Sequence, residues 1–463
     1  MRRIESVSPM GEHHLVIGGN AAGMTAASRA KRLSPSLAVT VLEASRHISY
    51  SICGLPYWLS GRVPRFDDLV YFTPESLQNE RGIAARLQTR AVELLPSRRS
   101  VVVEDLGSGR KEVLRYDKLL IATGYQPASL DVEGVDAKGV FTVSRIEDGQ
   151  AIFDWLGSGR AQQAVLVGGG YVGLEMAEAL KGRGLQVALV EKSTAIFPAI
   201  DPDMASLLQS ELEANSVRVF TGRTVGRIVT RSDGTVSGVE LAGGHQLQAD
   251  LVLMDVGVKP RVDLVQGSDI RLGGSGAIAV SERMETSVPS IYAAGNCAET
   301  VHLVTGRPGF DPLGTVAAKQ GRVAGENMAG RVSYFRGAVS TTAVKVFGLA
   351  AARTGLTTEE ADREGFQVVE ARVEGRFQAS YFGGKPSTVK VLADSVSRRL
   401  LGAQIVGSEL ASVRIDVVAT ALAARMTVDE ATQLDLAYAP PVGTLWSPLL
   451  IAMNLLQRRM DGR

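Results

Sequence analysis

Residues 14–23 read HLVIGGNAAG, a short apolar run that enters a glycine-rich turn. The following residues predict a helix of small side chains over 22–33 and a strand over 38–43 that ends in Glu43. Strand, glycine turn, helix, strand and terminal acid, in this order, are typical of a unit that binds a dinucleotide, because the acid can accept hydrogen bonds from a ribose. This stretch therefore predicts an α/β fold with a parallel sheet.

The turn departs from the usual G-x-G-x-x-G pattern at one position. Gly18 and Gly23 are in place, but Asn20 stands where the second glycine lets the backbone approach a pyrophosphate. Asparagine tolerates left-handed backbone geometry better than most residues, so we expect it to fit with its side chain turned away. With Ala22, these residues form the predicted binding turn; the alternative is an ordinary glycine turn in an α/β domain.

The same pattern returns further along the chain, and this internal repeat organises the whole sequence. Its parts are a strand over 164–168, a helix over 171–182, a strand over 186–191 and glycines at Gly168, Gly170 and Gly173. Glu191 ends the second strand and favours NADH over NADPH, because a carboxylate repels a 2′-phosphate; Lys192 works against that preference. Two such units in one chain predict one flavin and one nicotinamide, since hydride transfer needs both rings together.

Composition excludes several classes of protein. In 463 residues, 50 Lys and Arg oppose 49 Asp and Glu, so the net charge of +1 does not indicate a nucleic-acid-binding protein. Two cysteines, Cys53 and Cys297, and five histidines predict neither a disulfide framework nor a metal site. No signal peptide and no apolar run of transmembrane length is evident, so we expect a soluble, cytoplasmic protein.

The chain divides into three predicted domains. A β-rich stretch over 87–117 follows the first unit and another over 216–257 follows the second. From about residue 336 the pattern changes to strands over 343–349, 376–393 and 401–406 and a long helix over 408–426. The predicted boundaries are 1–150 with 276–335 for the first domain, 151–275 for the second and 336–463 for the third.

Cys53 is the candidate reaction centre. It lies in the segment HISYSICGLPYW, residues 47–58, where Pro56 predicts the start of a helix. The free amides of a helix start lower the pKa of a thiol and so favour the nucleophilic thiolate. A buried structural cysteine is the alternative, and we expect that of Cys297.

Four motifs carry a family resemblance: VIGGNAAG, LLIATG, VGGGYVGLE and IYAAGNCAE. In this order they resemble the flavin-dependent pyridine nucleotide–disulfide oxidoreductases over essentially the whole chain. The family usually carries a C-x-x-x-x-C pair, but here Trp58 stands five residues after Cys53. The sequence is therefore similar to the single-cysteine branch, and CGLPY most resembles coenzyme A disulfide or persulfide reductases. Ala21, where oxidases and peroxidases of the family have histidine, argues against an oxygen- or peroxide-reducing specialist.

The resemblance implies two domains that bind FAD and NAD(P)H, a C-terminal α+β dimerisation domain and a homodimer. It places Tyr438, in DLAYAPP, at the partner chain's cysteine, with Tyr381 as a second, looser match. Ile52, Val442 and Asn296 depart from the family pattern and put the thiol substrate in doubt. Further cofactor residues implied by position are Thr123, Gly124, Asn296, Thr315, Tyr171 and Glu175. The substrate-binding candidates are Ser49, Arg29 and Arg32; the two arginines would either bind coenzyme A phosphates or form a solvated basic face.

The resemblance and the residues together predict a FAD-dependent enzyme that uses NADH or NADPH to reduce a low-molecular-weight disulfide, persulfide or polysulfide at Cys53. One cysteine suffices if the flavin resolves the adduct. Coenzyme A is expected as a ligand or as a Cys53 adduct. The alternatives are an NADH oxidase with a cysteine sulfenic acid and a redox-sensing flavoprotein with slow turnover.

Overall fold

The computed structural model describes residues 11–462. Most of the N-terminal segment, which the sequence predicts not to be a signal peptide, lies outside these residues. Within the described residues the strands are β1 His13–Ile17, β2 Ala38–Leu42, β3 Ile48–Tyr50, β4 Val70–Phe72, β5 Ala84–Arg86, β6 Thr89–Leu95, β7 Ser100–Asp105, β8 Lys111–Arg115, β9 Lys118–Ile121, β10 Tyr125–Pro127, β11 Val140–Phe141, β12 Gln163–Val167, β13 Gln186–Val190, β14 Val217–Phe220, β15 Val225–Thr230, β16 Val236–Leu241, β17 Gln246–Gln248, β18 Leu251–Met254, β19 Val258–Pro260, β20 Ile291–Ala293, β21 Thr300–Val301, β22 Pro308–Gly309, β23 Thr342–Val346, β24 Leu349–Gly355, β25 Val368–Arg376, β26 Pro386–Asp394 and β27 Leu400–Gly407. The α-helices are α1 Ala21–Leu33, α2 Leu55–Leu59, α3 Pro74–Arg81, α4 Ile146–Gly157, α5 Tyr171–Gly182, α6 Pro202–Ala214, α7 Gly314–Met328, α8 Thr358–Arg363, α9 Glu409–Ser412, α10 Ile415–Ala423, α11 Val428–Ala431 and α12 Pro448–Met460.

The first unit is a parallel sheet in the order β20-β9-β1-β2-β5. Helix α7 packs tightly on α1, because a Cβ on Gly321 would lie 2.2 Å from the Ala22 carbonyl oxygen and one on Gly325 would lie 2.4 Å from that of Ala26. Only glycine allows this approach. The close packing brings the start of α7 to the glycine turn that precedes α1.

The second unit repeats this architecture as a parallel sheet in the order β11-β18-β12-β13-β14. Both predicted strand–turn–helix–strand repeats are present. Two strands, β10 and β19, pair antiparallel between the units and connect them. The chain thus crosses from the first unit to the second and back along one short ribbon.

The third unit is an antiparallel sheet in the order β23-β24-β27-β26-β25 covered by α10 and α12. The strand predicted over 376–393 is wrong, because the chain turns between Arg376 and Pro386 and so divides the region between β25 and β26. The long helix predicted over 408–426 is also wrong. It breaks between α9 and α10, where the Arg414 amide bonds back three residues to Ala411 instead of continuing the α-helical pattern.

The predicted domain boundaries stay a prediction. The predicted fold class, a doubly repeated α/β nucleotide fold with a C-terminal α+β unit, is confirmed. Among the residues that the structure describes, none of the helices combines the length and apolar character needed to span a bilayer.

A buried charge cluster ties the second unit to the third. Lys390, on β26, lies 2.9 Å from Asp201, 3.1 Å from Asp203 and 2.9 Å from Glu370, and the side chains of Lys390 and Asp201 are each only 5% exposed. Thr358 donates a further hydrogen bond of 2.7 Å to Asp201. Breaking a buried cluster of this kind is costly because the charges that remain cannot reach water.

Replacing Lys390 by methionine is expected to destabilise the protein by about 3–5 kcal/mol, because Asp201 is then buried without its cation. Thermal unfolding followed by circular dichroism measures the change. Burial opposes ionisation of Asp201, but Lys390 and Thr358 lower its pKa below the ordinary value of 3.8. The stability advantage of the wild type over the variant is therefore present above pH 3.8 and is lost as the pH falls through the lowered pKa. Arg363→Met, which removes an exposed pair with Glu359, is the control. An equal loss in both variants would contradict the prediction.

Candidate active site

Backbone contacts account for two glycines of the first turn. Gly18 has φ of +106°, and a Cβ on it would lie 2.1 Å from the Ala122 carbonyl oxygen. A Cβ on Gly23 would lie 1.9 Å from the Gly18 carbonyl oxygen. Asn20 has φ of −117° and precedes α1 in an extended conformation, so its tolerance of left-handed geometry is not used here. Its side chain therefore causes no backbone strain.

A difference behind the two turns explains why asparagine is tolerated in one and glycine is used in the other. In the second unit Asp255 follows β18, and its carboxylate lies 3.0 Å from where a Cβ on Gly170 would be. The same carboxylate accepts a 2.9 Å hydrogen bond from the Gly173 amide in the first turn of α5. Ala122 holds the corresponding place in the first unit and leaves space beside Asn20. The motif alone did not reveal Asp255.

The two acids that end the second strand of each unit have the same geometry. Glu43 accepts hydrogen bonds of 2.7 Å from the Gly19 amide and 2.8 Å from the Ser45 amide. Glu191 accepts 2.8 Å hydrogen bonds from the amides of Gly169 and Ser193. A carboxylate has further lone pairs, so each acid can fix its glycine turn and still accept a hydrogen bond from a ligand.

A cleft of about 1080 Å³ opens along the first turn. The predicted residues that line it are Gly18, Asn20, Ala22, Glu43, Ser49, Cys53, Thr123, Gly124, Asn296, Arg29 and Arg32. Gln320, on α7, accepts a 2.8 Å hydrogen bond from the Gly295 amide and so fixes the loop that carries Asn296. The buried Oδ1 of Asn296 has no hydrogen-bond partner among the described residues. A polar atom of this kind beside a large cleft is suited to a hydroxyl-bearing ligand such as the ribityl chain of a flavin.

Cys53 lies exposed in this cleft, two residues before α2. Partial enclosure raises the pKa of its thiol above the ordinary value, and the charge of Glu175 raises it further. The lowered pKa predicted from the helix start is therefore wrong for this arrangement. The main reason is burial, which disfavours the charged thiolate, and the Glu175 carboxylate on α5 adds to it by disfavouring a second negative charge.

Trp58 has a packing role. Its side chain is buried, stacks on Phe153 with 4.6 Å between ring centroids and meets the edge of Phe66 at 5.0 Å. The residue that replaces a second cysteine thus anchors α2 against α4. The chain has no other cysteine near Cys53, because Cys297 is buried against the carbonyl oxygens of Ile121 and Ala294.

Glu175 approaches the thiol from the second unit. It lies on α5, and its carboxylate accepts a hydrogen bond of 3.3 Å from the hydroxyl of Tyr57, on α2. Burial raises the pKa of Glu175 to about 7, against the lowering effect of Tyr57, and the charges of Glu178 and Asp255 raise it further. Glu175 is one of the residues predicted from the sequence, whereas Tyr57 is not, because only the packing of α2 on α5 brings them together.

The three predicted tyrosines lie outside the thiol cleft. Tyr171 packs edge-on against Phe197, with 4.8 Å between ring centroids. Tyr381 and Tyr438 are 75% and 54% exposed on the third unit. Their two loops are joined, since Gln378 donates a 2.8 Å hydrogen bond to the Pro441 carbonyl. Neither tyrosine lines the cleft that holds Cys53 of the same chain.

The remaining predicted residues lie at the ends of the cleft. Arg29 is ion-paired with Glu326 at 2.6 Å, which occupies part of its guanidinium, whereas Arg32 is exposed. Ser49 has a left-handed φ of +53°, unusual for a serine, and its amide bonds to the Gly19 carbonyl. Thr315 lies in the first turn of α7, whose neighbouring Gly314 lines the cleft.

Two dinucleotide folds that meet at one thiol define an oxidoreductase that moves electrons between nucleotide cofactors and sulfur. The sequence pattern of the pyridine nucleotide-disulphide oxidoreductases matches residues 12–321, and that of their dimerisation domain matches residues 341–447. The chain belongs to this family, as its motifs predict.

Individual relatives are similar over nearly their whole length. A CoA-dependent NAD(P)H sulfur oxidoreductase of Pyrococcus abyssi is 37% identical over 96% of this chain and 98% of its own. An NADH oxidase of Methanocaldococcus jannaschii is 34% identical over 97% of this chain and 99% of its own. The structure of a NAD-dependent persulfide reductase from A. fulgidus superposes with a TM-score of 0.94 and 37% identity, over 97% of this chain and 84% of that one.

Proposed function

We propose that this protein is a FAD-dependent NAD(P)H oxidoreductase that reduces a low-molecular-weight disulfide, persulfide or polysulfide through Cys53. One observation carries the proposal: the thiol lies in the same cleft as the first glycine turn, and Glu175 of the second unit is near enough to raise its pKa. A thiol between the two units can receive electrons that enter through either nucleotide. Relatives that act on sulfur compounds support the same class of substrate.

The first unit would hold FAD. Gly18 and Gly23 keep the turn open to a pyrophosphate, Glu43 would bind a ribose, and Asn296 would accept a hydrogen bond from the ribityl chain. The amides at the start of α7, near Thr315, would stabilise negative charge on the reduced ring. When bound, the flavin would carry two electrons from NAD(P)H to the Cys53 sulfur. NAD(P)H would lie on the second turn, with Glu191 favouring NADH and with Tyr171 and Glu175 at the nicotinamide.

Cys53 would act as the nucleophile. Its thiolate attacks one sulfur of a disulfide, a bond forms between Cys53 and that sulfur, and the other half leaves as a thiolate. Two electrons then break the mixed disulfide, which restores the Cys53 thiolate and frees the second thiolate. Tyr438 of a second copy, with Tyr381 beside it, would donate a proton to a departing thiolate.

The basic end of the cleft favours a substrate that carries phosphate, such as a coenzyme A disulfide. Arg29, Arg32, Arg81 and Arg322 all line the cleft, and Arg81 is held by a 2.8 Å hydrogen bond to Ser28. Guanidinium groups bind phosphates through paired hydrogen bonds. Ser49 lines the same cleft as the thiol and would contact the substrate chain.

Replacing Arg32 by alanine is expected to raise the KM for coenzyme A disulfide by roughly three- to tenfold, as loss of one exposed charge contact should. The KM for cystine, which carries no phosphate, is expected to stay unchanged. Steady-state NAD(P)H oxidation with each substrate measures both values. An equal rise in both KM values would show that Arg32 does not bind the substrate phosphate.

The third unit supports the proposal of a homodimer. The surface around Tyr381 and Tyr438 also exposes Phe382, Leu445 and Trp446, which are 50%, 71% and 63% exposed. Exposed apolar patches of this kind favour protein–protein contact, and the segment matches a dimerisation domain. Sedimentation equilibrium tests this: a monomer at micromolar concentration would contradict the homodimer.

An NADH oxidase in which Cys53 cycles through a sulfenic acid is the second candidate, favoured by the relative of that name. Anaerobic titration with NADH and NADPH, followed by turnover with coenzyme A disulfide, a persulfide and oxygen, separates the two. Flavin reduction with disulfide or persulfide turnover supports the main proposal. Consumption of one oxygen molecule for every two NADH oxidised, with none of these sulfur substrates reduced, would replace it. Mass spectrometry of the purified protein would reveal a coenzyme A adduct on Cys53.

A further inference from the structure

Two neighbouring carboxylates on α5 face the segment that bears the thiol, but their negative charges are balanced by very different partners. Glu178 is ion-paired with Arg62 and, at 3.2 Å, with Lys345, and it accepts a 2.8 Å hydrogen bond from the Phe347 amide. Glu175, one turn earlier, forms no ion pair with any of the described residues and has the Tyr57 hydroxyl as its donor. The carboxylate placed toward the nicotinamide thus depends on a single phenol.

Tyr57 is held firmly enough to orient that carboxylate. It lies on α2 between the buried side chains of Pro56 and Trp58. Arg183, from the end of α5, donates a hydrogen bond to the Leu59 carbonyl and closes the same interface. A small cavity between the helices is lined by Tyr57, Glu175 and Glu178 among others, so these three side chains lie together at the interface.

We propose that Tyr57 is a positioning residue for the nicotinamide step: its hydroxyl fixes the Glu175 carboxylate on the side of α5 that faces Cys53. This inference rests on the proposed function, in which Glu175 lies at the nicotinamide of NAD(P)H and contacts it as a carboxylate. Tyr57 is four residues from Cys53, so the segment that carries the thiol also orients the group that receives the coenzyme.

The electrostatics around Glu175 make this role measurable. Tyr57 favours the ionised form, while burial and the charges of Glu178 and Asp255 oppose it and hold the pKa of Glu175 at about 7. Arg62 and Lys345 line the same small cavity but are engaged with Glu178. The charge of Glu175 also raises the pKa of the Cys53 thiol, so the ionisation of the thiol is linked to that of the carboxylate.

The test is Tyr57→Phe, followed by rapid anaerobic reduction of the bound flavin by NADH between pH 6 and 9. Loss of the donor is expected to move the pH at which NADH binding weakens upward by roughly one unit, since one pKa unit corresponds to a single charge-assisted hydrogen bond. At pH 7 the KM for NADH should rise several-fold while kcat changes little. At pH 9 the variant should match the wild type, which a purely structural defect would not do.

Three further samples keep the outcome unambiguous. Tyr116→Phe removes a buried phenol hydroxyl that has no hydrogen-bond partner among the described residues, and its profile should follow the wild type. Glu175→Gln should remove the inflection altogether. Repeating the profiles in the Cys53→Ser background removes the coupled thiol. A Tyr57→Phe profile that overlies the wild type would overturn the inference, whereas failure of NADH and NADPH to reduce the wild-type flavin would overturn the proposed function itself.

Discussion

Replacing Cys53 by serine is expected to lower NAD(P)H-dependent reduction of coenzyme A disulfide by at least about a thousandfold, because a hydroxyl does not attack a disulfide sulfur at neutral pH. Cys53 is the exposed thiol of the two that the chain contains. Steady-state oxidation of NADH in the presence of the disulfide measures the loss. Reduction of the flavin by NADH in the absence of disulfide should survive, since the serine leaves both nucleotide turns intact.

The other thiol provides a matched control. Cys297 is buried and contacts the carbonyl oxygens of Ile121 and Ala294, which a serine hydroxyl can also reach. Cys297→Ser should therefore retain disulfide reduction. Full activity in Cys53→Ser would exclude the proposed nucleophile, and loss of flavin reduction in that variant would show a defect outside the sulfur step.

Replacing Gly173 by valine is expected to reduce the rate of flavin reduction by NADH at least about a hundredfold. A Cβ at this position would lie 2.1 Å from the Gly168 carbonyl oxygen, so the turn that receives the pyrophosphate must open. The same change displaces the Gly173 amide, which donates a hydrogen bond to the Asp255 carboxylate. Stopped-flow absorbance of the flavin measures the rate.

The flavin content of the Gly173→Val protein should equal that of the wild type, because the first unit has its own sheet and turn. Dithionite should reduce this flavin normally, which separates a coenzyme defect from a flavin defect. Gly182→Ala is the matched control on the same helix, since a Cβ there meets nothing within 4 Å. Rapid NADH reduction of the valine variant would contradict the assignment of the second turn.

The repeated nucleotide fold was predictable because its signal is local. Glycines 168 and 173, the preceding apolar strand and Glu191 all lie within one short segment, and their spacing follows from backbone geometry. The break between α9 and α10 was not predictable from the apolar pattern, which continues across it; only the hydrogen bond of Arg414 reveals the break.

The ionisation of the site depends on contacts that are distant in sequence. Cys53 and Glu175 are separated by more than a hundred residues, so the helix start near the thiol gave the wrong sign for its pKa. Tyr57 likewise gains its role from α5, and Asp255 gains its role from the return of β18 beside β12. Asp255 lies in none of the quoted motifs, and the motif that includes Tyr57, CGLPY, does not indicate its contact with Glu175.

The amides held by Glu191 have a consequence for engineering the coenzyme preference of this enzyme. Redesign toward NADPH would normally remove the acid at this position and add a cation nearby. Here that acid also holds the amides of Gly169 and Ser193, so its removal would leave two donors without acceptors and loosen the loop that the new coenzyme must use. Replacing Glu191 therefore changes the coenzyme selectivity and the loop structure together. A successful exchange of coenzyme must introduce a replacement acceptor for the two amides together with the cation.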